Sequence, residues 1–348
     1  MLNKKFSRRD FLKLGALGVS SLAFLPGFDF GELADSDNLV RVATKSLSVY
    51  SQPDDTSTIK FQRFRDEILN VYYEVISDKS PKYNPLWYRV WGGYIHSTHL
   101  QKVHVQLNPI PERLSDGLHL IEITVPYASS FLQKTPGVWT PLFRLYYGSV
   151  HWAVALVEGP DGKPWYRIRD ELVRLDALNY YIPAHQARII PPEETAPISP
   201  DVNPDQKYIE VSLNDQELTA YEQGKVVLKT KISSGLDYSP PGMVPWNTPT
   251  GRFNIQTKMP SKHMGDGQFT DDIEAYELPG VPWASFFEPE NGVAFHGTYW
   301  HQNFGVPMSH GCINMKPEEA RWLFRWVTPA ADLSKIYTVG YGTQVLVY

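Results

Sequence analysis

From about Asn38 to its C-terminus the chain is written in short runs of β-branched and aromatic residues, each cut off by polar, Gly or Pro clusters. Such runs suit strands, and they leave little room for helices, which want about ten or more uninterrupted residues. Leu39-Val40-Arg41-Val42, Ser46-Leu47-Ser48-Val49-Tyr50, Ile68-Leu69-Asn70-Val71-Tyr72-Tyr73 and Trp87-Tyr88-Arg89-Val90-Trp91 are the first of them, with Ser51-Gln52-Pro53-Asp54-Asp55 a typical break. Tyr208 to Leu213, Leu218 to Glu222 and Val226 to Ile232 continue the pattern, with Gly224 at a turn. One helix is expected: Pro317-Glu318-Glu319 puts Pro at the first helical position and acids at the positive end of the dipole. Ala320, Leu323, Phe324 and Val327 then share one face. Thr338 to Tyr348 supplies a closing strand, and the expected class is mainly β with short helices. Residues 236–246 and about 258–285 are long for loops and are read as lids or clefts. They carry His263, Met264, Trp283, Phe286 and Phe287, which could equally pack as satellite core.

The N-terminal half repeats itself. Trp87-Tyr88-Arg89-Val90 corresponds to Trp165-Tyr166-Arg167-Ile168, and Tyr94-Ile95 with His99 corresponds to Tyr181-Ile182 with His185. Two copies of a unit of roughly 65–75 residues point to paired small barrels and not to a solenoid, which needs three or more repeats. Boundaries follow at 38–105 and 117–192, with a Pro-rich linker over 193–206 and a third domain from 207 to 348. The aromatics Trp87, Trp91, Tyr94, Trp152, Trp165, Tyr180 and Tyr181 either fill these small cores or line a groove.

Charge narrows the partners. The formal net charge is −5, and the first thirteen residues hold Lys4, Lys5, Arg8, Arg9 and Lys13 against Asp10, leaving the rest near −9. A nucleic-acid backbone wants the opposite sign, so no nucleic-acid partner is expected. Ser7-Arg8-Arg9-Asp10-Phe11-Leu12-Lys13, followed by the apolar run Leu14 to Leu25, resembles a twin-arginine export signal over residues 1–30. The run is short for a membrane span. No clean small-x-small cleavage site follows it, so an uncleaved anchor stays open, and the expected location is the cell envelope outside the cytoplasm.

The chemistry concentrates near the C-terminus. Cys312 is the only cysteine among 348 residues, so no intrachain disulfide can form, and it follows Ser309-His310-Gly311. A thiol attacks as thiolate and needs a base, a cation or backbone amides beside it. His310 stands two positions before it and His296 sixteen. Gly311 permits a sharp turn that uncovers amides, which suits an oxyanion hole at Gly311 and Cys312. An inert buried thiol is the bland alternative. His296, His301, His310 and Cys312 could in principle make a tetrahedral site, but the adjacent glycines fit nucleophilic catalysis better, so no metal is expected.

His296-Gly297, a spacer, and Ser309-His310-Gly311-Cys312-Ile313-Asn314 together resemble the signature of the L,D-transpeptidases, cysteine enzymes that cross-link peptidoglycan. The resemblance reaches back to about Tyr208 and includes Thr248-Pro249-Thr250-Gly251. It implies a β-sandwich-like catalytic domain with short helices, and the two preceding repeats resemble bacterial Src-homology-3-like barrels. It implies Cys312 as nucleophile and His296 as general base, with Gly297 orienting the imidazole. His310 and Ser309 would shape the loop, His310 being the competing base, and Asn314, Thr298 and Tyr299 would meet substrate. His301 is expected at the surface or in the groove. The implied partner is the peptidoglycan stem peptide, with no cofactor. Water in place of the acceptor amine would give a carboxypeptidase or endopeptidase. A non-catalytic wall-binding protein is the reading from another class, and the presence of both Cys312 and His296 counts against it.

Overall fold

The computed structural model describes residues 38–172, 179–241 and 245–348, so the export-signal segment lies outside the described residues. Strands dominate, and many of the runs read above are among them. Leu39–Val42 pairs antiparallel with Ile68–Asn70 and Leu100–Val103. A five-stranded sheet then orders Ile59–Phe64, Ser46–Tyr50, Gly93–His96, Leu86–Val90 and Tyr73–Ile76. Val40, Val42, Val49, Tyr88, Val90 and Ile95 close a core between these two sheets. The next unit is one seven-stranded sheet whose core holds Ile121, Ile123, Leu145, Tyr166, Tyr180 and Ile182.

The sequence repeat is a repeat of pairing. Tyr88 lies opposite Ile95 and Arg89 opposite Tyr94 in the first unit. Tyr166 lies opposite Ile182 and Arg167 opposite Tyr181 in the second. The equivalent residues thus occupy the same register and point to the same sides, because a one-residue slip would have exchanged core and solvent faces. Most of the flagged aromatics are core: Trp87, Trp152, Trp165 and Tyr180 are buried, whereas Trp91 is exposed.

The two units are welded together by charge as well as by apolar contact. Leu39 and Val103 of the first unit enter the core of the second. Buried Asp66 accepts from Arg41 Nη1 at 2.8 Å and also pairs with Arg144 of the second unit. Gln101 accepts from Arg41 and donates to the Tyr147 carbonyl at 2.7 Å. With its remaining hydrogen bonds met, the Arg41 charge can be tolerated in the interior.

The C-terminal half is a sandwich. One sheet orders Lys225–Lys231, Glu217–Glu222, Lys207–Ser212, Gln344–Val347 and Gly251–Asn254. The other orders Ile313–Met315, Val293–Gly297, Glu277–Glu288, Thr257–Gly265 and Thr338–Val339. Thr338 to Tyr348 therefore supplies two short strands, one to each sheet, and not a single closing strand. Ile209, Val211, Leu218, Val345 and Val347 from the first sheet meet Phe287, Val293, Phe295, Ile313 and Met315 from the second. The helix Pro317–Trp326 adds Ala320, Leu323 and Phe324 to this core, as its spacing requires. At its C-terminal end two buried lysines meet orphan carbonyls, Lys207 Nζ donating to Trp326 O at 3.2 Å and Lys258 Nζ to Val327 O at 3.0 Å. Cations belong at that end of a helix dipole.

Residues 258–285 are corrected by the structure. They are no loop but most of a long hairpin, Thr257–Gly265 against Glu277–Glu288. Pro260, Pro279 and Pro282 interrupt the strand pattern there, and the ladder shifts register once, where Pro279 and Gly280 lie opposite His263. The hairpin is tied to the second unit at its outer end. His263 lies between Asp170 and Glu277, 2.9 Å from each carboxylate. The two anions raise the pKa of this buried imidazole against the opposing effect of burial.

Candidate active site

The site begins with a topological necessity. Val293–Gly297 and Ile313–Met315 pair in parallel, with Phe295 beside Ile313 and His296 beside Asn314. Parallel neighbours cannot be joined by a tight turn and need a crossover of a dozen or more residues. Residues 298–312 are that crossover, and Cys312 is its last residue. Side chains alternate along each strand. Val293, Phe295, Ile313 and Met315 point into the sandwich core. Ala294, His296 and Asn314 therefore share the opposite face, and Cys312 packs there against the small cluster of Met259, Ala284, Phe286 and Ala294. Two residues distant in sequence, Cys312 and His296, come to the same side of adjacent strands.

The loop around the thiol is held by its own polar groups. Ser309 Oγ donates to Cys312 O and accepts from the Gly311 N–H. Thr248 Oγ1 donates to Gly311 O at 2.7 Å and accepts from the Gly235 N–H at 2.9 Å. Gly311 has φ 121°, where a side chain would be strained, and a Cβ on Gly235 would fall 1.9 Å from Trp246 O. The expected oxyanion pair is corrected in one member: the Gly311 N–H is already committed to Ser309 Oγ, which leaves the Cys312 N–H as the candidate. Thr248→Val would orphan a buried amide and a buried carbonyl at once. It is expected to cost about 1–3 kcal/mol, read as a lowered urea midpoint; an unchanged midpoint would remove Thr248 from the loop's support.

Burial keeps the Cys312 thiol and the His296 imidazole neutral at rest. Cys312 Sγ donates to Gly292 O at 3.4 Å. Burial pushes its pKa up to about 11, against the weaker pull of the Ala294 amide and Lys262. His296 is buried, and desolvation lowers its pKa to about 4 despite a hydrogen bond to Gly297. That bond runs from Nδ1–H to Gly297 O at 3.1 Å and fixes the proton on Nδ1. Nε2 is then the basic nitrogen, as a general base requires. Thr298 Oγ1 lies 3.4 Å from the same Nδ1, behind the imidazole.

The other expected residues are dispersed. His310 stacks on Trp246 at 4.1 Å and tilts against Tyr276 at 5.6 Å, so its ring is part of an aromatic wall. Burial lowers its pKa. Trp246 and Tyr276 were missed as individuals, although both lie in the long segments flagged above. Tyr299 is corrected: it is 4% exposed and packs beside Tyr146 of the second unit and Trp300. His301 is corrected too, being 2% exposed. The Asn314 amide approaches His301 Nε2 at 2.9 Å. A cavity of about 460 Å³ lies behind this region, between the second unit and the helix; Tyr147, Trp283, Thr298, His301 and Arg321 line it, while Cys312 and His296 do not.

Residues 206–347 match the family model YkuD, the L,D-transpeptidase catalytic domain. No curated protein matches the chain. Among solved structures, a mutant of Enterococcus faecium L,D-transpeptidase is 29% identical over 43% of this chain and 51% of its own, with a TM-score of 0.30. The chain thus spans about half the length of that relative. The catalytic domain of the Enterococcus faecium enzyme, solved by NMR, is 32% identical over 41% of this chain and 96% of its own, with a TM-score of 0.29. The same domain acylated by ertapenem is 30% identical over 41% and 97%, with a TM-score of 0.29.

Proposed function

We propose, for a chain that belongs through residues 206–347 to the L,D-transpeptidase catalytic-domain family, a peptidoglycan acyl transfer carried by Cys312 and His296. The observation that supports it is their placement on one face of two parallel strands, with His296 Nδ1–H turned onto Gly297 O. His296 Nε2 takes the thiol proton as Cys312 Sγ attacks the stem-peptide carbonyl that precedes the terminal D-Ala. The C–N bond breaks, the proton passes to the departing D-Ala amine, and a thioester remains. An amine of a second stem then attacks the thioester, its proton leaving through His296, and a new amide forms as the thiol is restored. The Cys312 N–H faces the oxyanion in this scheme, where fixed dipoles act best.

The substrate places the reaction outside the cytoplasm, and the arginine pair Arg8-Arg9 supports export by the twin-arginine route. The repeat registers support reading the two preceding units as small barrels. Intact-mass labelling with a carbapenem, an acylating mimic of the donor, tests the core of the proposal. One adduct per chain on the wild type and none on Cys312→Ala is expected. An unlabelled, folded wild type would overturn it. Analysis of muropeptide products then separates cross-linking from hydrolysis.

A further inference from the structure

The loop between His296 and Cys312 contains a polar relay that the acyl-transfer scheme does not use. His301 Nδ1 accepts the backbone N–H of Asn303 at 3.2 Å. Its Nε2 lies 2.9 Å from the Asn314 side-chain amide. His301 and Asn314 are each 2% exposed. The terminus of the Asn314 amide that faces away from the ring is buried without a partner. Burial, with His99 and His296 nearby, lowers the His301 pKa to about 3, so the ring is neutral at ordinary pH.

A neutral imidazole carries one ring proton. Because Nδ1 is occupied as an acceptor, that proton is on Nε2. The group facing Nε2–H must then be an acceptor, which makes it the Asn314 oxygen. The nitrogen and oxygen of an amide are assigned from their partners, and these partners settle the choice. The unpartnered terminus is consequently the amino group. Asn314 lies beside His296 in the parallel register, and its side chain is on the face that also carries Cys312. An unpaired buried donor is costly unless something uses it.

The relay continues into the first N-terminal unit. Asn84 Nδ2 donates to Asn303 Oδ1 at 3.0 Å and approaches Gln302 O at 3.4 Å. The Gln302 N–H donates to Thr98 O at 2.8 Å. Asn84 is itself held, since Ser97 Oγ donates to its Oδ1 at 2.9 Å. From the catalytic half, Ser233 Oγ donates to Asn303 O at 2.9 Å.

We propose that His301 is a positioning residue of the acyl-transfer site: held by Asn303 and, through Asn84, by the first N-terminal unit, it turns the Asn314 amide so that its amino group is the donor awaiting a carbonyl or carboxylate oxygen of the stem peptide. The inference rests on the acyl-transfer reading for its substrate, but the orientation of the amide does not. On this view the first unit sets the geometry of the catalytic face besides spacing it from anything else.

Histidine-selective ¹⁵N labelling with multiple-bond ¹H–¹⁵N correlation reads the tautomer directly, with His301→Gln identifying the resonance. The expected pattern is a protonated Nε2 and a bare Nδ1; the reverse would overturn the proposal in the wild-type protein, whatever the variants do. Carbapenem acylation supplies the functional arm. Gln keeps an amide donor where His301 Nε2 stands, whereas Asn and Ala do not reach it. His301→Gln is therefore expected to stay within about threefold of wild type, and His301→Asn and His301→Ala to lose about tenfold or more, mainly in the half-saturating concentration. Asn84→Leu is expected to reproduce a smaller part of that loss. Equal losses for Gln and Ala at matched melting temperatures would overturn the positioning role. A wild type with the expected tautomer but no acylation would instead overturn the acyl-transfer reading, and the substrate half of this proposal with it.

Discussion

His296→Ala is expected to slow acylation of Cys312 by about 10²- to 10⁴-fold, the range over which a positioned general base contributes. The resting geometry explains the size. Cys312 is protonated and donates to Gly292 O, and its pKa stands near 11, so almost no thiolate exists at pH 7 without a base. Loss of the imidazole removes the proton acceptor while leaving the nucleophile in place. Stopped-flow consumption of a carbapenem, with melting temperature as a folding control, provides the measurement. The pH profile carries the sign. His296 is lowered to about 4, so its neutral, competent form is complete above about pH 5. The wild-type rate should be level from there through neutrality and should fall about tenfold per unit below pH 4. A variant retaining more than a tenth of the wild-type rate would remove His296 from the role of base.

Alkylation of the resting thiol by iodoacetamide should rise about tenfold per pH unit from pH 7 to pH 10, roughly a thousandfold in all, because only the thiolate reacts. The raised thiol pKa, near 11, puts the plateau beyond that range. A thiolate–imidazolium pair would behave oppositely: attraction would lower the thiol and raise the imidazole, giving a plateau across neutral pH. Here burial drives the two apart in the other direction, the thiol up and the imidazole down. Both groups are desolvated on the same face of the sheet, and the pull of Lys262 on the thiol is too weak to offset that burial. Mass-spectrometric rates across the pH series decide the matter. A pH-independent rate between pH 6 and 8 would show that the resting enzyme is an ion pair.

Local pattern carried much of this protein. The runs at Leu39–Val42, Trp87–Val90 and Trp165–Ile168 are strands because β-branched and aromatic residues suit a pleated, half-buried surface. The repeat was readable because its correspondence is one of register, with Arg89 opposite Tyr94 as Arg167 is opposite Tyr181. The helix at Pro317–Trp326 announced its start and its buried face in ten residues. Where prolines interrupt the alternation, at Pro260, Pro279 and Pro282, the pattern alone hides the long hairpin and resembles a loop. A strand among other strands tolerates such breaks, since neighbouring ladders hold it; the alternation alone does not reveal that support.

What the sequence by itself determined was the chemistry's vocabulary: a single cysteine, a histidine sixteen residues before it, and the Ser-His-Gly setting that points to a nucleophilic thiol. Only the tertiary structure decided how those words are joined. The parallel pairing of Val293–Gly297 with Ile313–Met315 puts Cys312 and His296 on one face, and no spacing rule could do so. It also sends His310 to the aromatic wall, commits the Gly311 N–H to Ser309, and buries His301 within a loop braced by Asn84. Residue type sets what a side chain can do. Which groups it meets, and how much water it loses, depend on contacts between residues as far apart as Asn84 and Asn303, and those exist only once the chain has closed.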